Sequence, residues 1–309
     1  MLLRRRHVIT SLISAAAVAH AARLDAQPFL LRPEDTIGLA PQPLIPPPAP
    51  VVPMPPGAPA TELPTWRRNA VAVPMNDDRP KIAVVIDDMG VTHPYTGEAI
   101  ALPGPVTLAW FPFAVSLLDQ MQAAAERGHE ALLHMPMQAF SNSTAQTGPD
   151  PLRIDLPPAV NLARLRAALD AVPNIVGLNN HMGSVATRDV ALMDIVARET
   201  RDRGMLFLDS VTIPHSVALA RAELAGVPAA ARDVFIDHMA DPSVIRGQLA
   251  SIEVQARHFG YAIAIGHPRT HTLEALEAWL PTLEAKGFVL WPLAATVALR
   301  NNIDLSQRA

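Results

Sequence analysis

The feature that most constrains the fold is a repeated alternation of apolar, strand-like runs with helical patterns, which begins at Lys81. Residues 82–86 form a run rich in β-branched side chains, as expected of a parallel strand buried on both faces. Similar runs follow at residues 106–110, 131–134, 175–178, 205–208, 234–236, 261–265 and 288–291. The alternation predicts one α/β domain over residues 81–309, with about seven or eight parallel strands covered by helices.

Polar side chains follow most of these strand-like runs. They are Asp87 and Asp88, His134, Asn179 to His181, Asp209 and Ser210, Asp237 and His238, and His267. In α/β barrels and open α/β sheets, ligand sites lie at the carboxyl ends of the strands, where the loops converge. The sequence therefore predicts one shared site built from these strand ends.

The neighbouring aspartates Asp87 and Asp88 directly follow the first strand. Adjacent carboxylates repel each other when both are ionised unless a cation lies near them. One can therefore bind a metal ion while the other accepts a proton; capping of the next helix is the structural alternative. Together with Asp88, His134 and His181 form a set of two histidines and one carboxylate. Such a set can hold a divalent ion and leave positions for water and substrate.

Another histidine, His267, ends a late strand, where its imidazole can donate a proton to a leaving group or bond a nearby loop. Asp209 is expected either to orient one of the histidines or to cap the following helix. Asp237 and His238 are expected to be structural or surface residues.

The N-terminal sequence predicts export and a tether. Three arginines at residues 4–6 precede an apolar stretch at about residues 8–19 and small residues suited to a signal peptidase. We interpret residues 1–26 as a cleaved signal peptide, although an uncleaved anchor is the alternative, and we predict no further membrane span. Residues 27–80 are dense in proline without an apolar period, which predicts an extended linker.

Composition limits the chemistry of any site. The chain has 309 residues, no cysteine and a formal net charge of -4, without a long basic run. Disulfides and thiolate ligands are therefore excluded, so a metal must be held by His, Asp, Glu or water. The charge pattern also gives no indication of nucleic-acid binding.

Six segments in this order resemble the divergent polysaccharide deacetylase family. They are residues 86–90, 128–138, 179–184, 208–210, 232–237 and 264–268. The resemblance covers Lys81 to about Leu299. It implies the distorted (β/α) barrel of the wider polysaccharide deacetylases.

The resemblance also implies roles, residue by residue. Asp87 matches the base and Asp88 a metal ligand of the wider superfamily's Asp-Asp motif, and His267 matches its late acid motif. His134 matches the first histidine of a His-x-x-x-His motif, but Gln138 stands where the second would be. His181 is therefore the candidate replacement ligand. Asp209, Asn180 and Gln138 are expected to contact the ligands or the substrate, and the superfamily's Arg-x-Pro-Tyr motif has no clear counterpart.

The function expected from these residues is metal-dependent removal of acetyl groups from an envelope or extracellular glycan. Zinc is the expected ion, with Co, Ni or Mn also compatible with N/O ligands. Two alternatives stay open: a non-catalytic glycan-binding protein on the same barrel, and a non-haem iron oxygenase, which uses the same ligand types.

Overall fold

The computed structural model describes residues 63–74, 77–91, 94–140 and 147–305. Within them, nine strands form one sheet: β1 Lys81–Met89, β2 Thr107–Trp110, β3 Glu130–Met137, β4 Gly177–Met182, β5 Leu206–Asp209, β6 Ala229–Ala231, β7 Val234–Phe235, β8 Tyr261–Gly266 and β9 Val289–Leu290. The helices are α1 Thr65–Asn69, α2 Tyr95–Ala101, α3 Leu117–Glu126, α4 Pro158–Ala171, α5 Val190–Asp202, α6 Ala218–Leu224, α7 Pro242–Phe259, α8 Thr270–Trp279 and α9 Leu293–Arg300.

The strands are parallel and follow the order β6-β5-β4-β3-β2-β1-β8-β7, while β9 pairs with the start of β1. The two strands at the ends of this path, β6 and β7, are consecutive in the chain but do not pair with each other. The barrel is therefore open between them. The eight parallel strands of this path confirm the predicted distorted (β/α) barrel of seven or eight strands, and β9 is an addition outside the path.

Alternation along β1 fills two separate layers of the core. Ile82, Val84 and Ile86 pack in the layer beneath the helices, whereas Ala83 and Val85 pack in a second layer with residues from the other strands and from α9. A strand buried on both faces explains why this run reads as continuously apolar. The alternation along β1 also determines which face of the sheet each of its side chains meets.

Part of the segment predicted as linker packs on the barrel, so the boundary predicted at Lys81 lies too late. Trp66, on α1, is 3% exposed and joins the second layer of the core, with Ala83 and Val85. Asn69 donates a hydrogen bond to the carbonyl of Ile175 at 2.8 Å. A single large aromatic side chain supplies enough apolar area to hold a short segment that has no apolar period of its own.

The predicted signal segment, residues 1–26, and the linker up to residue 62 lie outside the described residues. Within the ranges that the structure describes, no helix has both the length and the apolar character needed to cross a bilayer.

A buried carboxyl group at the start of β3, that of Glu130, contacts β2, α9 and the segment after α1 at the amino-terminal end of the barrel. It accepts hydrogen bonds from the backbone N–H groups of Ala294 at 2.9 Å and Val71 at 3.3 Å, and it lies 3.4 Å from the hydroxyl of Thr107. Burial raises the pKa of Glu130 to about 7, although these hydrogen bonds oppose the shift. The group therefore titrates near neutral pH, far from the strand ends that carry the candidate site.

We expect Trp66→Ala to lower the free energy of unfolding by about 3–5 kcal/mol, the usual loss for a buried aromatic side chain. Urea unfolding measures the change. Leu224→Ala, at a side chain that is 74% exposed, is the control and should stay within about 0.5 kcal/mol of the parent. An equally small effect of Trp66→Ala would restore the linker interpretation of residues 63–74.

Glu130 should make stability depend on pH. Its pKa is higher in the folded state than in the unfolded chain, so its stabilising contribution is complete below the unfolded value and is lost as pH rises towards about 7. Between pH values near 5 and near 8, the parent should therefore lose on the order of 2–3 kcal/mol relative to Glu130→Gln. Urea unfolding of both proteins at both pH values measures the difference in their free energies of unfolding. If this difference is the same at both pH values, the raised pKa of Glu130 is wrong.

Candidate metal centre

The end of β1 carries an irregularity that turns two consecutive aspartates toward one site. Ile86 pairs with Leu108 and Met89 pairs with Trp110, so β1 has one more residue than β2 over this stretch. Asp88 has φ +58°, in the left-handed region that non-glycine residues rarely adopt. A bulge of this kind re-aims a side chain that strict alternation would send to the opposite face. Asp87 and Asp88 can therefore serve the same site.

The pairing of β3 with β4 brings the two histidines together. His134 lies opposite Asn179, and Pro136 lies opposite His181. Because alternate residues of a strand share a face, Asn179 and His181 both lie on the side of His134. Phe111 supplies an apolar wall, with its ring centroid 5.2 Å from that of His134 and 4.8 Å from that of His181.

Three potential ligand atoms form a nearly equilateral triangle. Asp88 Oδ1 lies 3.2 Å from His134 Nε2 and 3.1 Å from His181 Nδ1, and the two nitrogens are 3.1 Å apart. Ligands bound at about 2.0–2.1 Å in a tetrahedral zinc site are about 3.3 Å from one another. The triangle therefore fits a divalent ion with little movement. Asp88 Oδ1 is buried and, among the described residues, has no hydrogen-bond partner, as expected of an atom that coordinates an ion.

Hydrogen bonds fix the orientation of His134. Its Nδ1 donates to Asn179 Oδ1 at 2.7 Å, and Asn179 Nδ2 donates to Asp87 Oδ1 at 2.7 Å. Since Nδ1 carries the proton, the lone pair of the neutral ring lies on Nε2, which faces Asp88 and His181. A histidine ligand is commonly oriented in this way by a partner on its other nitrogen.

The local charges favour a cation at the triangle. Burial by itself lowers the pKa of His134, but Asp87 and Asp88 raise it to about 9. Burial would raise the pKa of Asp88, but His134 and His181 hold it well below its usual range. A potential that attracts a proton to His134 also attracts a metal ion, and the two compete for the same nitrogen.

His267 lies beside the triangle and is held by Asp237. Its Nδ1 donates to Asp237 Oδ1 at 2.9 Å, while its Nε2 lies 4.0 Å from Asp88 Oδ2. Burial alone would lower the pKa of His267, but the bond and charge of Asp237 raise it. Asp237 is fully buried and also accepts hydrogen bonds from the backbone N–H of His267 and the hydroxyl of Thr272, each at 2.9 Å. It orients His267, and the surface alternative for Asp237 is wrong.

Three residues predicted to contact the ligands or the substrate hold loops in the structure. Asp209 accepts hydrogen bonds from the backbone N–H of Val211 at 2.9 Å and the hydroxyl of Ser216 at 2.6 Å, so it neither orients a histidine nor caps a helix. Asn180 accepts from the backbone N–H of Ser210 at 2.9 Å. Gln138 accepts from the backbone N–H of Ile154 at 2.9 Å and lies outside the triangle.

Asn179 and Asp237 orient His134 and His267, a role predicted from the sequence for Asp209. The signal for Asn179 is its spacing of two from His181, which places both on one face of a strand. The signal for Asp237 is its position after β7, because β7 pairs with β8 and Phe235 lies opposite Ile265. Extending that register by two residues aligns Asp237 with His267.

Comparison with known proteins gives a family and relatives. The family described as divergent polysaccharide deacetylase matches residues 84–297. An uncharacterized protein of Haemophilus influenzae is 36% identical over 203 residues, which are 66% of this chain and 72% of the relative. The uncharacterized protein YibQ of Escherichia coli is 34% identical over 197 residues, 64% of this chain and 61% of the relative.

A crystal structure of an uncharacterized protein from Agrobacterium tumefaciens C58 has a similar fold. It superposes with a TM-score of 0.72 at 26% identity, over 76% of this chain and 99% of that one. The similarity extends across the barrel and supports the fold described above.

Metal binding tests the triangle directly. We expect His134→Ala and His181→Ala to purify folded but almost free of metal, because each removes one of three candidate ligands. Asn179→Ala keeps all three candidate ligands but removes the hydrogen bonds to His134 and Asp87, and it should weaken metal affinity by about 10–100-fold. His258→Ala, at an exposed histidine of α7, is the control and should retain the metal. Elemental analysis measures the metal content of each variant. If His181→Ala keeps its full metal content, His181 is not a ligand.

Proposed function

The chain belongs to the divergent polysaccharide deacetylase family, and we propose that it is an exported, metal-dependent hydrolase that removes acetyl groups from a glycan of the cell envelope. The observation that carries the proposal is the triangle of Asp88, His134 and His181, with Asp87 and His267 beside it. These five residues provide ligands, a base and an acid within one site. Metal-assisted hydrolysis of an acetyl group uses each of these parts.

A divalent ion bound by the triangle would polarise the acetyl carbonyl and lower the pKa of a coordinated water. We assign zinc because nitrogen and oxygen ligands suit it; cobalt, nickel and manganese are compatible with the same donors. The rest of the chemistry belongs to the side chains of this chain.

Asp87 is assigned as the base that takes a proton from the attacking water. Burial raises its pKa, while His134, His267 and the hydrogen bond from Asn179 oppose the shift. A carboxylate with a raised pKa is a better base near neutral pH than an ordinary one. The oxygen of water then bonds to the acyl carbon.

His267 is assigned as the acid that protonates the leaving atom. Its Nδ1 is held by Asp237 and its Nε2 faces the site, so the imidazolium can deliver the Nε2 proton as the acyl bond breaks. The raised pKa of His267 keeps this proton available near neutral pH. The products are acetate and a free amine or hydroxyl on the sugar.

Export supports an envelope substrate. The basic start, the apolar stretch and the small residues of segment 1–26 have the form of a signal peptide. The proline-dense sequence that follows suits a tether that gives the domain reach within the envelope. We therefore place the substrate outside the cytoplasm.

Substitution of the two proton-transfer residues tests the mechanism. Asp87→Asn and His267→Ala should each lower acetate release by about 100- to 10,000-fold while metal content stays that of the parent, because neither residue belongs to the triangle. The assay measures acetate released from acetylated cell-wall and chitin-type oligosaccharides by protein loaded with zinc, cobalt or nickel.

Asp119→Asn, an exposed aspartate on α3, and His258→Ala are the matched controls and should keep parental rates. A parent protein that releases no acetate from a broad panel, yet binds its saccharides, would replace the hydrolase by the non-catalytic glycan-binding alternative. Activity that is indifferent to both substitutions would remove Asp87 and His267 from proton transfer.

A further inference from the structure

A small pocket opens beside the metal ligands and is large enough for part of a sugar. Its volume is about 280 Å³, and Asp88 and His267 lie in its wall. Tyr95 and Thr270 line another part, where the threonine hydroxyl donates to the phenol oxygen at 3.1 Å. The pocket also includes Arg269, a cation that the hydrolytic mechanism does not use.

Arg269 is anchored at one nitrogen and open at the others. Nη1 donates to the backbone carbonyl of Asp237 at 3.1 Å, and the side chain is 51% exposed. Among the described residues, no acceptor hydrogen-bonds Nε or Nη2. Arginine presents five N–H donors in a rigid fork, so an anchored guanidinium still offers an edge that matches a carboxylate.

The acids near Arg269 are already engaged. Asp237 lies with its Oδ2 3.9 Å from Nη1, but both of its oxygens accept hydrogen bonds from His267 and one also accepts from Thr272. The acid that lines the pocket itself is Asp88, which belongs to the triangle. Arg269 therefore keeps an open hydrogen-bonding edge at the pocket, although Asp237 lies within ion-pair distance of its Nη1.

We propose, building on the deacetylase function, that the substrate is an acidic glycan whose acetylated sugar carries a carboxylate, and that Arg269 binds this carboxylate. The acetyl group would lie at the triangle while the carboxylate reaches the open edge of the guanidinium. A neutral acetylated sugar would leave that edge to water. Arg269 thus determines specificity and takes no part in proton transfer.

The test uses the full zinc-loaded protein and three methyl glycosides that share one acetamido sugar. N-acetylmuramic acid carries a carboxylate, its carboxamide is a neutral analogue of the same size, and N-acetylglucosamine lacks the substituent. NMR titration measures the dissociation constants from the acetyl methyl signal and detects any free acetate in the same sample.

We expect the acid to bind at least about tenfold more tightly than its carboxamide, in line with hydrogen bonds to charged groups. Added salt should reduce this preference. Arg269→Gln should abolish it, whereas Arg269→Lys should keep part of it, because a lysine retains the charge without the fork. Arg246→Gln, at an exposed arginine of α7, is the matched control and should keep the full preference. Circular dichroism verifies the fold of each variant.

Equal binding of acid and carboxamide, or failure of all three glycosides to bind, would overturn the proposal. So would a preference that survives in folded Arg269→Gln, since the carboxylate would then be bound by the ion. Acetate release without acid preference would leave the deacetylase function standing and remove this inference. If the preference for the acid depends on Arg269 but no glycan releases acetate, the carboxylate-binding role of Arg269 stands and the deacetylase function falls.

Discussion

Consecutive residues of a strand normally point to opposite faces, and the site depends on a local exception to that rule. The extra residue of β1 and the left-handed backbone of Asp88 bring both aspartates to the same end of the barrel. Without this exception, either Asp87 or Asp88 would face the helical layer. A residue other than glycine in this conformation stores strain, which the pairing of β1 on both edges must outweigh.

Asn179 links the two halves of the site. Its amide accepts from His134 and donates to Asp87, so one side chain sets the tautomer of a candidate ligand and holds the proposed base. The hydroxyl of Ser210 lies 3.2 Å from the same amide nitrogen. The position of the proton on His134 and the position of Asp87 are therefore coupled through one buried amide. A change in the charge or position of either residue affects the other.

The sequence was sufficient to predict the barrel and the strand ends that carry Asp87, Asp88, His134, His181 and His267, because buried parallel strands leave an apolar run and a polar terminus. The sequence was insufficient where contacts between distant segments determine how a residue packs or which partner it bonds. Trp66 looked like part of a linker because its packing partners lie far along the chain. Strand β6 consists of three alanines, which carry no strand preference. The hydrogen bonds that orient the histidines come from Asp237 and Asn179 and not from Asp209, because which polar neighbour faces a histidine depends on strand register.

The position of β1 in the sheet has a consequence for the order in which the molecule is built. This early strand takes neighbours both from the next strand in sequence, β2, and from β8 and β9 near the other end of the chain. Pairings between such distant segments form slowly, since a long loop must close before any contact is gained. A nascent chain that has reached the end of β5 contains Asp88, His134 and His181 yet still lacks the strand that delivers His267. The complete candidate site can therefore form only after β8 and His267 have been synthesised.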